Sequence, residues 1–224
     1  MTLIAVLVLG FFLGMRHATD ADHVVAVTTI VGRKRTTRAA LAVGALWGLG
    51  HSVTLLVVGG AIVLFGVVIP PRLGLSMEMS VAVMLIVLGA MNLSGALRSI
   101  DRAAHGASAP ELEERHALRP VVIGVVHGLA GSAAVALLVL ATIREAAWAV
   151  FYLAVFGIGT VAGMMLLTTA MAMPIAAASR RFGSVERRLA HATGVLSIAF
   201  GLFLAYRIGI VDGLFLGQAS WSPH

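Results

Sequence analysis

A cluster of ionisable side chains interrupts an otherwise apolar stretch close to the N-terminus. Residues 16–23 read Arg-His-Ala-Thr-Asp-Ala-Asp-His and place five ionisable side chains in eight positions, whereas residues 2–32 are otherwise largely apolar. At the centre of a bilayer each charged side chain costs about 2.5–3.5 kcal/mol. Such groups persist in a membrane segment only when they are paired, line a wet cavity or hold an ion. The cluster is therefore a candidate functional site.

The composition places the chain among integral membrane proteins. Hydrophobic residues make up 59% of the 224 residues and charged residues only 12%, and the apolar runs are long enough to cross a hydrocarbon core. We therefore predict an all-α, multi-pass protein surrounded by the lipid bilayer. The sequence contains no cysteine, which excludes disulfides and thiolate metal sites. Any metal site must be built from nitrogen and oxygen ligands.

The apolar runs predict about six transmembrane helices. They cover residues 2–32, 39–69, 76–97, 121–143, 146–174 and 191–210. The first run, about 31 residues long, exceeds the roughly 20 residues that a straight span needs, so we expect it to tilt, kink or break at the charged cluster. The second run is rich in glycine, which permits close contact between helices.

A weak internal repeat relates the two halves of the chain. Leu-Trp-Gly-Leu-Gly-His at residues 46–51 is echoed by Val-Phe-Gly-Ile-Gly-Thr at residues 155–160, and this alignment places His17 opposite His127. Because each half has three spans, the second copy is inverted in the membrane, as in many transporters. The predicted organisation is a first three-helix repeat at residues 1–97, a cytoplasmic loop at 98–120, a second three-helix repeat at 121–211 and a C-terminal tail at 212–224.

The basic residues predict the orientation in the membrane. Twelve of the 16 lie in three loops on one side: Arg33, Lys34, Arg35 and Arg38; Arg98, Arg102, Arg115 and Arg119; Arg180, Arg181, Arg187 and Arg188. The positive-inside rule makes this side cytoplasmic, so both termini are expected outside the cytoplasm and the protein in the cell inner membrane. Topology thus explains the net charge of +6, and nucleic acid is not an expected partner.

The chemistry of the cluster indicates a divalent transition metal. Imidazole and carboxylate ligands suit such ions, and nitrogen-rich sites bind nickel and copper more tightly than manganese or iron. On a regular helix the five side chains cannot converge on one ion, so the helix must unwind or a loop must wrap back. Pairing Asp20 with Arg16 leaves His17, Asp22 and His23 as ligand candidates. The alternative is a closed polar network that only holds helices together.

Two further histidines are candidates. His51 lies 13 residues after Arg38 and His23 lies 10 residues before Arg33, so the two rings reach similar depths on adjacent antiparallel spans. His127 stands alone on a glycine-rich span, where a ligand and a packed core histidine are both reasonable interpretations.

These residues resemble a known family. Residues 16–23 are similar to the signature R-H-A-x-D-A-D-H of the nickel/cobalt transporter family (NiCoT), and Leu-Gly-His-Ser at residues 49–52 resembles its second motif, L-G-H-S. The resemblance implies that metal recognition needs His17, Asp22 and His23, with His51 and Asp20 close by.

The second half departs from the family pattern. Where the family carries acidic motifs, this chain has His-Gly-Leu-Ala at residues 127–130 and Gly-Met-Met-Leu-Leu-Thr-Thr at 163–169. Family members typically have eight spans, so the chain is similar to the shorter, six-span, urease-accessory-type nickel permeases.

We expect a carrier for nickel or cobalt ions, driven by a gradient. The chain has no G-x4-G-K-[ST] phosphate loop, and the transported ion is its substrate, not a cofactor. The alternatives are efflux of the metal and an accessory subunit that delivers metal to a partner. An intramembrane metalloenzyme is disfavoured because H-E-x-x-H is absent, so no enzymatic activity is expected.

Overall fold

In the computed structural model, all of the regular secondary structure in the described residues is helical. The structure describes residues 3–31, 37–95, 109–129, 143, 145–181, 185–216 and 219–221. The helices are α1 (Leu3–His17), α2 (Ala21–Val31), α3 (Thr37–Phe65), α4 (Pro71–Leu93), α5 (Ala109–Gly128), α6 (Ala146–Arg181) and α7 (Val185–Tyr206), followed by a π-helical turn at Arg207–Val211.

The first apolar run is broken at the charged cluster, as the sequence predicts. α1 and α2 meet at an angle of 54°. In the turn between them, the amides of Thr19 and Asp20 donate to the carbonyls of Arg16 and His17, at 2.8 and 3.1 Å. These bonds run three residues back instead of four, so the chain tightens and changes direction. Five polar side chains are thereby placed at a bend instead of along one continuous helix.

Among the described residues, four helices could cross a membrane, or five if the broken pair counts as one span. Thr37–Phe65, Pro71–Leu93, Ala146–Ile175 and Arg188–Val211 are long and apolar enough. They correspond to the predicted second, third, fifth and sixth spans. Most of the predicted fourth span lies outside the described residues. Its described part belongs to α5, which begins inside the polar segment, continues through Pro120 and has only a short apolar portion, Leu118–Gly128.

Close contacts join the helices in pairs. Helix α3 packs against α5 and α6, while α1 packs against α6 and α4 against α7. An added Cβ at Gly48 would lie 2.9 Å from the Cα of Val161, and one at Gly128 would lie 2.7 Å from the carbonyl oxygen of His51. Larger residues cannot occupy these positions without separating the backbones. The glycines therefore allow the predicted close packing of the second span.

The outside of the bundle is apolar. Ile4, Val8 and Phe12 form a stripe along α1 and are 73%, 50% and 60% exposed. Similar exposed side chains lie on the other long helices, whereas Trp47, His23 and His51 are completely buried. Apolar residues outside and polar residues at the centre are the arrangement expected when the surroundings are lipid.

Candidate metal centre

Four buried imidazoles meet at the break in the first span. His17 ends α1, His23 lies in the first turns of α2, His51 lies midway along α3 and His127 lies at the end of α5. Three of these side chains have no exposed surface and the fourth, His17, is 6% exposed. The ring centroids of His23 and His51, for which the sequence predicts similar depths, lie 5.1 Å apart. The sequence left the place of His127 open, and the structure puts its ring 4.1 Å from that of His23.

The first group of potential ligands consists of His17, His23 and His51. One ligand atom from each lies within 4.8 Å of the others. The Nε2 atoms of His17 and His51 are 3.0 Å apart. His23 Nε2 and His51 Nδ1 are buried and have no hydrogen-bond partner among the described residues. Buried polar atoms are normally satisfied, so His23 Nε2 is suited to an additional ligand such as a metal ion.

A second group consists of Asp22, His23 and His127. Asp22 Oδ2 lies 2.9 Å from His127 Nε2, and Asp22 Oδ1 lies 3.1 Å from His23 Nδ1 and 2.9 Å from the His23 amide nitrogen. The carboxylate thus joins two imidazoles from different helices. His23 belongs to both groups and is the point where they meet.

Asp20 has a different neighbour from the one that the sequence analysis assigns. Its Oδ2 atom lies 2.7 Å from His17 Nδ1, and its side chain is 40% exposed. The expected pairing with Arg16 assumed a continuous helix, in which residues four apart share a face. Because the helix ends at His17, the turn carries the carboxylate back to the imidazole three residues before it.

Two aromatic residues that the sequence analysis did not select line the cluster. The Trp47 ring stacks on His23 at 5.8 Å and lies 5.6 Å from His127. The Phe156 ring lies 5.6 Å from His17. Trp47 stands one helical turn before His51, so an aromatic residue at that spacing was the available signal. These rings exclude water from the imidazoles and limit their movement.

Comparisons with known proteins identify relatives of this chain. A profile of the family described as high-affinity nickel-transport protein matches residues 3–98, the part of the chain that contains the broken span and His51. The chain is 36% identical to the urease accessory protein UreH of Bacillus sp. (strain TB-90) over 95% of this chain and 96% of that protein. It is also 27% identical to the chloroplast protein FOR GROWTH AND FERTILITY 2 of Arabidopsis thaliana over 86% of this chain. The matched part covers 54% of that protein, or about half of its length. No solved structure matches the chain significantly.

Proposed function

Because the chain belongs to the family of high-affinity nickel-transport proteins, we propose that it carries nickel or cobalt ions across the cell membrane through the group formed by His17, His23 and His51. The observation that carries this proposal is the convergence of three buried imidazoles from three helices at a broken span. The family is one of transport proteins and not of enzymes, in agreement with the sequence expectation. The metal is the substrate.

The spacing of two nitrogens is compatible with nickel coordination. If an ion binds the Nε2 atoms of His17 and His51 at about 2.1 Å, their 3.0 Å separation gives an N–metal–N angle of about 90°. Tetragonal and octahedral coordination, which suit Ni²⁺ in nitrogen and oxygen sites, use this angle.

Asp20 orients His17 in this proposal and is not itself a ligand. Metal-binding histidines commonly donate their second ring N–H to a carboxylate, which fixes the tautomer and the direction of the ring. The 2.7 Å contact between His17 Nδ1 and Asp20 matches that pattern and leaves Nε2 directed at His51. The partial exposure of Asp20 is also easier to reconcile with an orienting group than with a buried ligand.

The transport proposal includes six spans arranged as two inverted repeats. Under the alignment of His17 with His127, α1 corresponds to α5, α3 to α6 and α4 to α7. The packing of α1 on α6 then corresponds to that of α5 on α3, and the pairs α3–α6 and α4–α7 each map onto themselves. This pattern supports a pseudo-two-fold axis in the membrane plane.

Backbone contacts support the same alignment. A Cβ at Gly14 would collide with the carbonyl oxygen of Phe156, and one at Gly124 would collide with that of Trp47. In the register of the sequence repeat, Gly14 aligns with Gly124 and Phe156 aligns with Trp47. Each of these contacts is therefore the counterpart of the other in the opposite half.

The proposed membrane arrangement follows the sequence analysis. The repeats occupy residues 1–97 and 121–211. The basic loops lie in the cytoplasm, and both termini lie on the other side of the inner membrane, outside the cytoplasm. The twelve basic residues on one side support this orientation.

An accessory function is the second candidate, because the relative that is 36% identical is named a urease accessory protein. In that case the chain would bind the metal and pass it to a partner protein, without moving it by itself.

Uptake of radioactive nickel by liposomes that contain only the purified chain tests the proposal. Wild type and the control His191→Gln, altered outside the cluster on α7, should accumulate nickel, whereas His51→Gln should not. Nickel binding without uptake by wild type would favour the accessory function, and the absence of both would refute the metal site.

A further inference from the structure

The cluster contains two ligand groups that share one imidazole. His17 and His51 lie with His23 in one group, while Asp22 and His127 lie with His23 in the other. We propose that these groups are two successive metal positions, and that a single ion occupies them alternately by changing from one ring nitrogen of His23 to the other. This inference rests on the proposed transport function and specifies how the ion passes through the site.

The two nitrogens of His23 keep the positions apart. An imidazole binds a metal in the plane of its ring, and Nδ1 and Nε2 point in different directions. Nδ1 lies 3.1 Å from Asp22, whereas Nε2 is buried without a hydrogen-bond partner in the described part of the chain. An ion bound through Nδ1 with Asp22 and His127 therefore cannot be the ion bound through Nε2 with His17 and His51.

Charge makes simultaneous occupation unfavourable. Two divalent ions on opposite nitrogens of one ring would be only a few ångströms apart, in a site shielded from water by Trp47 and Phe156. Repulsion between like charges is strong at that distance in a low-dielectric interior. The ion therefore occupies one position at a time.

The proposed repeat assigns the positions to opposite sides of the membrane. His17 belongs to the first position and His127 to the second, and these residues correspond under the internal repeat. An axis in the membrane plane exchanges the two sides. In the proposed repeat, these two ligands consequently lie on either side of the midplane.

The donor atoms also differ in charge. The first position offers three imidazoles, and the second replaces one of them with the carboxylate of Asp22. Transfer breaks the bond between the ion and one ring nitrogen of His23 and forms a bond to the other, and the ring proton moves to the nitrogen that the ion leaves, so the imidazole stays neutral. The carboxylate of Asp22 and the ring of His127 then replace His17 and His51 as the other ligands.

Binding and uptake by the same variants separate this mechanism from a single five-ligand site. Nickel binding to detergent-purified protein is measured by equilibrium dialysis, and uptake is measured in liposomes. Wild type should bind one ion per chain. His127→Gln should keep its affinity within about threefold but lose at least about tenfold in uptake, the size of effect typical for groups around a metal. His51→Gln should lose at least about tenfold in affinity, and the binding that remains should disappear in His51→Gln with His127→Gln.

Asp22→Asn tests the second position without altering a histidine and applies if His127→Gln does not fold. Asparagine preserves the shape of the side chain, so uptake should fall while binding at the first position persists. His191→Gln is the matched control and should behave as wild type.

Three results would overturn the proposal. The first is unchanged nickel uptake by His127→Gln or by Asp22→Asn. The second is an equal loss of nickel affinity in His127→Gln and in His51→Gln. The third is the binding of two ions per wild-type chain. If wild type neither binds nor transports nickel, the transport function itself fails. If wild type transports nickel and one of the three results is found, only the two-position mechanism fails.

Discussion

Removing the Asp20 carboxylate, which contacts His17, should weaken nickel binding without abolishing it. In Asp20→Ala, His17 Nδ1 loses a partner at 2.7 Å, and the ring can rotate or adopt the other tautomer. Loss of such an orienting group typically reduces metal affinity 10–100-fold. Asp20 is 40% exposed, so water can partly replace it and its charge is screened. We therefore expect the lower end of that range, about tenfold.

Isothermal titration of the purified protein with nickel measures this effect. Asp20→Asn keeps an acceptor oxygen and should fall between wild type and Asp20→Ala. The double variant with His17→Gln should bind no more weakly than His17→Gln alone, because the carboxylate acts through that ring. An additional loss in the double variant would show that Asp20 binds the metal directly. Unchanged affinity in Asp20→Ala would refute the orienting function.

Three further predictions use simpler perturbations. Nickel affinity should fall at acidic pH, since imidazole binds metal only when neutral; affinity that stays constant down to about pH 3, far below the reference imidazole pKa of about 6.5, would exclude histidine ligands. Gly128→Ala should lower the free energy of unfolding by about 1–3 kcal/mol, because the new Cβ would lie 2.7 Å from the His51 carbonyl oxygen. Thermal unfolding measures the loss of stability, and an unchanged melting temperature would contradict the close packing. Arg72→Cys should react with an impermeant thiol reagent in intact cells, whereas Ala107→Cys should react only after permeabilisation, and the reverse pattern would invert the orientation.

The sequence predicted the break in the first span because two physical limits met there. The run was too long for one straight helix, and its charged residues could not face lipid. Depth, counted from the basic loops, predicted similar levels for His23 and His51, whose rings lie 5.1 Å apart in the structure. Both arguments depend on distances along the chain, which a sequence records directly.

Contacts across helices were harder to predict. The place of His127 depends on how α5 packs against α3, and a single sequence does not record that packing. Asp20 was assigned the wrong neighbour because its partner depends on the turn after His17, and helical spacing no longer applies beyond that point. The division into two ligand groups was missed for a related reason, since ring nitrogens have directions that residue spacing does not contain.

The depth of the break in the first span has an electrical consequence. α1 has 15 residues and α2 has 11, or about 22 and 16 Å, so in the proposed arrangement, where they form one broken span, the turn between them lies roughly halfway through a hydrocarbon core of about 30 Å. A divalent ion that reaches the turn has crossed about half of the transmembrane potential, which corresponds to about 2.3 kcal/mol for each 100 mV. That energy changes the apparent affinity by about 50-fold, so the resting voltage of the cell would help to determine how often the site is filled.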